Sequence, residues 1–171
     1  MVAAQLGHNA IQTSFFAAAV GLIVLCIFMI VSYRMPGVVA TLALWIYTAL
    51  VLILVSVYDI TLTLPGLAGI ILGIGMAVDA NVVIYSRIRE EIGAGRSVES
   101  SIQAGYEKAT SAIVDGNITT LIAAAVLYIF GTGPIKGFAM TLALGIVVSM
   151  FTALVITRVI MKLFYNFGIT D

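Results

Sequence analysis

Five apolar runs, each long enough to cross a bilayer, follow one another along this chain, and its polar residues gather in the short stretches between them. The runs cover residues 15–33, 38–58, 64–86, 112–130 and 137–160. Each is close to the about 20 apolar residues that a membrane-spanning helix needs. The loop RMPG closes the first run at Pro36, DITLT turns the second into the third, and GTGP separates the fourth from the fifth. This pattern predicts an all-α, polytopic membrane protein. Five transmembrane helices occupy residues 15–163, between an extracytoplasmic segment (1–14) and a cytoplasmic tail (164–171).

The longest polar stretch, 87–110, has a pattern of its own. Ser97 can cap a helix in which Val98, Ile102, Tyr106 and Ala109 recur at helical spacing, with Glu99, Gln103 and Glu107 between them. Gly93 and Gly95 separate it from the third run. The expectation is a cytoplasmic amphipathic segment, either a helix lying along the membrane surface or a solvated connector.

Charge sets the orientation. Arg34, Arg87, Arg89, Arg96, Lys108, Arg158 and Lys162 fall on one side if the spans alternate, and only Lys136 falls on the other. The basic side is then cytoplasmic, which puts the N-terminus outside and the C-terminus inside. The first 14 residues, MVAAQLGHNAIQTS, contain no Lys or Arg and do not form a signal peptide. An N-out first helix with nothing before it is an awkward start for insertion. The chain is therefore expected to be an excerpt, with at least one further helix upstream.

Composition narrows the function classes. Hydrophobic residues make up 62% of the chain and charged residues 9%, against about 25% charged in a soluble domain. Eight basic residues balance eight acidic ones, leaving no basic surface for nucleic acid. Cys26, the single cysteine, sits in an apolar run as a small buried residue and cannot form an internal disulfide. His8 lies outside every span, and no cluster of His, Cys and carboxylates has metal-ligand spacing. No metal or organic cofactor is expected.

The candidate chemistry lies in the third run. From Leu64 to Tyr85, Asp79 is the only ionisable residue apart from that tyrosine. A charged Asp at such depth costs at least ~3 kcal/mol and normally faces a polar cavity or a partner. Asp79 is accordingly the candidate group for binding and releasing an ion. Gly69, Gly73 and Ala77 form a stripe of small residues suited to close helix packing. Asp79 stands roughly 80° from Gly69 around the axis, beside this seam, and Asn81 points roughly 200° away from Asp79. Asn81 is expected to hold a neighbouring helix by hydrogen bonding.

A second polar cluster, Asp115, Asn117, Thr119 and Thr120, opens the fourth run. Counted from Arg87 and Lys108, Asp79 and Asp115 lie at similar depth, roughly 10–12 Å from the cytoplasmic boundary. They either share a polar pathway, or Asp115 caps its helix near water; its place near the expected helix start favours the cap. Thr141, Gly145, Ser149 and Thr152 form a small, weakly polar face on the last run, a packing partner for the third. No basic residue lies inside a span, with Arg158 counted among the cytoplasmic charges. A cationic partner for Asp79 must then come from another chain.

LPGLAGIILGIGMAVDANVVIYSRIREE resembles the signature of the SecD branch of the SecD/SecF family, within the RND superfamily. VDGNITTLIAAAVLYIFGTGPIKGF and GIVVSMFTALVITR are similar to the segments that follow it there. Val78-Asp79-Ala80-Asn81 separates this chain from the SecF branch, where an Asn-Asp pair is typical. Gly116 stands where alanine is expected. The resemblance implies helices two to six of a six-helix RND-type half, in the bacterial inner membrane. It implies SecF, the Sec translocon channel and a preprotein as partners, the last through an extracytoplasmic domain missing from this chain. Membrane lipid surrounds the helices. It further implies that Asp79 couples proton or sodium flow to preprotein movement, with no enzymatic activity. The alternatives are an RND-type ion-driven exporter of small molecules and a structural anchor for a periplasmic domain. A catalytic dyad of Asp79 and Asp115, as in an intramembrane hydrolase, is the least favoured.

Overall fold

The computed structural model describes residues 2–167, with side chains from Gly7 onward. Its elements are α1 (Val2–Tyr33), α2 (Met35–Val57), α3 (Leu64–Gly93), α4 (Val98–Phe130), α5 (Pro134–Phe151), a π-helical turn (Thr152–Ile156) and α6 (Thr157–Asn166). The last three form one continuous rod, so five helices are long and apolar enough to span a membrane. Among the described residues there is no strand.

Local sequence explains the boundaries. Thr63 caps α3, its hydroxyl accepting the Gly66 N–H at 3.1 Å, and Pro65 occupies the first turn, where its missing N–H costs nothing. Such a cap contributes about 1 kcal/mol. Ser97 caps α4 in the same way, 3.4 Å from the Ser100 N–H, with Glu99 in the positively polarised first turn. Gly95, at φ 87°, makes the turn between α3 and α4 in a conformation that favours glycine.

Two sequence expectations change. The segment 1–14 does not stand apart from the first span, because α1 is helical from Val2 onward and carries His8 on its exposed side. The stretch 87–110 is not a separate surface helix. Its first part extends α3 to Gly93, and the rest is the start of α4, which runs unbroken to Phe130. No Gly-Pro break stands between Lys108 and Ala112, so the amphipathic repeat simply continues into the span. Ile102, Tyr106 and Ala109 are buried in the protein core instead of facing lipid. Of the expected tail, residues 168–171 lie outside the described residues.

α3 is the central helix and packs chiefly on α5 and α4. A methyl at Gly69 would meet the Phe138 carbonyl at 3.1 Å, and one at Gly73 would touch the Gly145 Cα at 3.5 Å. Tyr47 of α2, fully buried, places its hydroxyl against both Gly73 and Gly145. Small residues let these helices approach closely, and van der Waals contact supplies the attraction that lipid cannot.

The α1–α2 turn, the α3–α4 turn and the end of α6 meet at one end of the bundle. There Met35, Pro36, Ile92, Val98, Phe164 and Tyr165 line a common cleft. Arg89 lies over the Tyr33 ring at 5.6 Å at this end, while Lys136, beyond the opposite ends of these helices, lies over the Tyr128 ring at 5.5 Å. Glu91, 4% exposed, accepts a hydrogen bond from Lys108 and forms an ion pair with Arg96 at 3.1 Å. These pairs tie the end of α3 to the start of α4.

Candidate functional site

Asp79 sits near the midpoint of α3. The core side of that helix is taken by Gly73, Ala77, Val78 and Asn81, all buried, so the carboxylate is turned outward. It lines a groove of about 220 Å³ between α3 and α4, walled by Met76 and Val83 on one side and Ile113, Asn117 and Thr120 on the other. Asp79 is the sole ionisable residue among the groove's lining residues. The ion pairs of Arg87, Arg96 and Lys108 go to Glu90 and Glu91 and leave Asp79 alone. The carboxylate is exposed on the surface of the five-helix unit, not enclosed within it.

Among the supporting residues, Asn117 joins Asp79 in the groove, and so does Thr120, one turn further along the same face. Thr119 faces away, its hydroxyl donating to the Asp115 carbonyl at 3.1 Å. Asp115 is exposed and outside the groove, with the Ser111 hydroxyl 3.5 Å from its carboxylate. It cannot cap a helix, because α4 begins at Val98 and Asp115 lies well inside it. The two aspartates form neither a dyad nor a shared polar lining.

Asn81 is 2% exposed. The Thr157 hydroxyl donates to its Oδ1 at 3.2 Å and to the Thr152 carbonyl at 3.0 Å. Asn81 thus ties α3 to the last helix on the side opposite Asp79. Gly69 and Gly73 form the contact with α5, and Ala77 is buried beside them. Arg158, on the last helix, places its guanidinium over the Tyr106 ring at 5.8 Å and shares a polar cleft with Gln103, Glu107 and Thr110, away from the Asp79 groove.

Sequence reasoning named Thr120 within the second cluster without assigning it a role, and it did not single out Thr157. The place of Thr120 in the groove could have been found from its three-residue spacing to Asn117. Thr157 could have been found too, since continuing by fours from Thr141, Gly145 and Ser149 passes through 153 and reaches it.

Residues 1–166 match the family described as protein export membrane protein SecD/SecF, C-terminal. The chain is 52% identical over 160 residues to protein translocase subunit SecD of Synechocystis, a match covering 94% of this chain and 34% of that protein. With SecD of Pseudomonas aeruginosa it shares 48% identity over 162 residues, covering 95% of this chain and 26% of that one. The crystal structure of SecDF from Thermus thermophilus, a translocon-associated membrane protein, superimposes with a TM-score of 0.93 at 41% identity. It covers 96% of this chain and 23% of its own. SecDF in a super-membrane-facing form gives 0.89 at 41% identity, covering 95% and 22%. The chain spans 26% to 41% of the length of these and similar curated relatives.

Proposed function

This chain belongs to the SecD/SecF family of protein-export membrane proteins, and from that premise we propose that Asp79 takes up and releases the ion whose flow drives preprotein movement. The observation that carries the reading is a lone carboxylate midway along an apolar helix, on one wall of an open groove. A charged carboxylate in a closed apolar groove is costly. Covering the groove therefore favours proton uptake by Asp79, and opening it to water or to a cation favours release. Asn117 and Thr120 supply oxygen and amide groups that can hold the water or ion at the carboxylate. One elementary charge falling through 100 mV supplies ~2.3 kcal/mol, so each passage can do a modest amount of mechanical work.

An exposed site of this kind calls for partners. SecF covers the open face beside Asp79 and brings the cation that this chain does not place there. The preprotein is handled by an extracytoplasmic domain outside this chain, next to the Sec channel. The end of the bundle rich in Arg and Lys is cytoplasmic, by the positive-inside rule. The coupling ion is H⁺ or Na⁺.

The test is preprotein export in cells whose full-length protein carries Asp79→Asn. Asparagine keeps size and polarity but cannot cycle a proton. Export is expected to fall to the level of a deletion while the protein still inserts. Unchanged export would mean that the carboxylate is structural and would return the helices to the role of an anchor.

A further inference from the structure

One turn of α3 addresses two neighbours at once. Asp79 faces the α4 groove, and Asn81, two residues on and roughly 200° around the axis, reaches the last helix. It does so where that helix departs from α geometry. Thr152–Ile156 form a π turn, in effect one residue more than an α-helix would use; such turns are frequent at functional sites. The Thr152 carbonyl receives the backbone N–H of Thr157 and also its hydroxyl, at 3.0 Å.

That same hydroxyl stands 3.2 Å from Asn81 Oδ1. A hydroxyl carries one proton, so it serves either its own π turn or Asn81 at full strength, but not both. Thr157 is 0% exposed and Asn81 2%, and bulk water is shut out of the choice. The surroundings are under-satisfied as well. Thr152 Oγ1, at the first residue of the turn, and Arg158 Nε, just beyond it, are buried without a partner among the described residues. A locked joint would have all its donors and acceptors paired; this one keeps alternatives in reserve.

The helix beyond the turn has somewhere to go. Converting a π turn to α shifts the register of the downstream helix by one residue, about 100° and 1.5 Å. In α6 that movement would lift Arg158 off the Tyr106 ring and turn it within the cleft shared with Gln103, Glu107 and Thr110. We propose that Thr157 is a positioning residue: through Asn81, it converts a change of charge at Asp79 into a register shift of α6 at the π turn. The inference rests on the reading of Asp79 as the ion-binding group and adds the route by which the basic end of the bundle responds.

The experiment uses full-length protein in membranes, otherwise cysteine-free, with cysteines at Gln103 and Lys162. These positions line one cleft between α4 and α6. The expected result is a disulfide yield that differs several-fold between Asp79 and Asp79→Asn. Thr157→Val, which keeps the shape and loses the hydroxyl, should abolish that difference, and Thr157→Ser should restore it. A yield indifferent to the residue at 79, or a difference that survives Thr157→Val, overturns the inference. Should Thr157→Val fail to accumulate, deletion of Val155 replaces it. That deletion removes the extra residue while leaving α6 in its packed register, and a difference that survives it is equally fatal. The export assay stands apart. Lost export in Asp79→Asn with an unresponsive crosslink overturns the joint alone, whereas unchanged export overturns the coupling role of Asp79.

Discussion

Gly105 and Gly116 both lie on α4, and the same substitution has opposite consequences at the two positions. A methyl at Gly105 would run into the Ile88 backbone, 2.8 Å from both its N and Cα, where α3 and α4 cross. Backbone cannot yield as a side chain can. Gly105→Ala is expected to lower stability by about 1–3 kcal/mol, read as a drop in the thermal midpoint of the purified protein in detergent. Gly116 has nothing within 4 Å of its missing Cβ. Gly116→Ala gains up to about 1 kcal/mol of helix propensity, and its midpoint should stay level or rise. The alanine expected there from the family pattern has room to fit.

At the level of elements, the α3–α4 turn is held by one buried carboxylate with two half-exposed cationic partners. Glu91→Gln keeps an acceptor but loses the charge, leaving Lys108 and Arg96 without a counterion. A clear loss of stability is expected, smaller than for a fully buried pair because both cations remain in reach of water. The same midpoint measurement checks it, and Glu90→Gln, whose partner Arg87 is exposed with it, should be nearly silent. The five spans are legible in the sequence because lipid demands long apolar runs. The angle between Asp79 and Asn81 is legible because helical rotation is fixed. The features that escape it are set by neighbours. Ile102 and Tyr106 read as a lipid-facing stripe, yet they face α3, since a core stripe and a membrane-surface stripe have the same period. Asp115 reads as a cap when its helix is expected to begin near Ala112; the start lies at Ser97, about four turns upstream. Thr157 lies on the four-residue repeat of Thr141, Gly145 and Ser149, but its bond to Asn81, 76 residues away in sequence, is set by the packing of two helices.

Across the whole molecule, burial is uneven. The apolar windows of α1 and α4 are each only 11% buried, against 56% in α3. The outer faces of α1 and α4 therefore belong to lipid or to another protein. The single tryptophan, Trp45, is 55% exposed on the outer side of α2. In bilayers with brominated acyl chains its fluorescence should be strongly quenched; an unquenched signal would mean that protein, not lipid, covers this side. The face carrying Asp79 and its neighbours Leu72 and Gly75 is also open. The isolated chain is expected to self-associate there, and chemical crosslinking of a purified sample that gave monomer alone would count against it.

Helices entering a membrane from a ribosome partition one after another, each on its own merits, unless two arrive already joined. α3 and α4 are less apolar than the other spans, and they carry the polar groups of the groove, Asp79 and Asn117 among them. The ion pairs of Glu91 close the turn between these same two helices. A pair hinged at its charged end can turn its polar residues toward one another and present lipid with the remainder. A groove that gathers these polar groups thus lowers the cost of placing the chain's two least greasy segments in lipid.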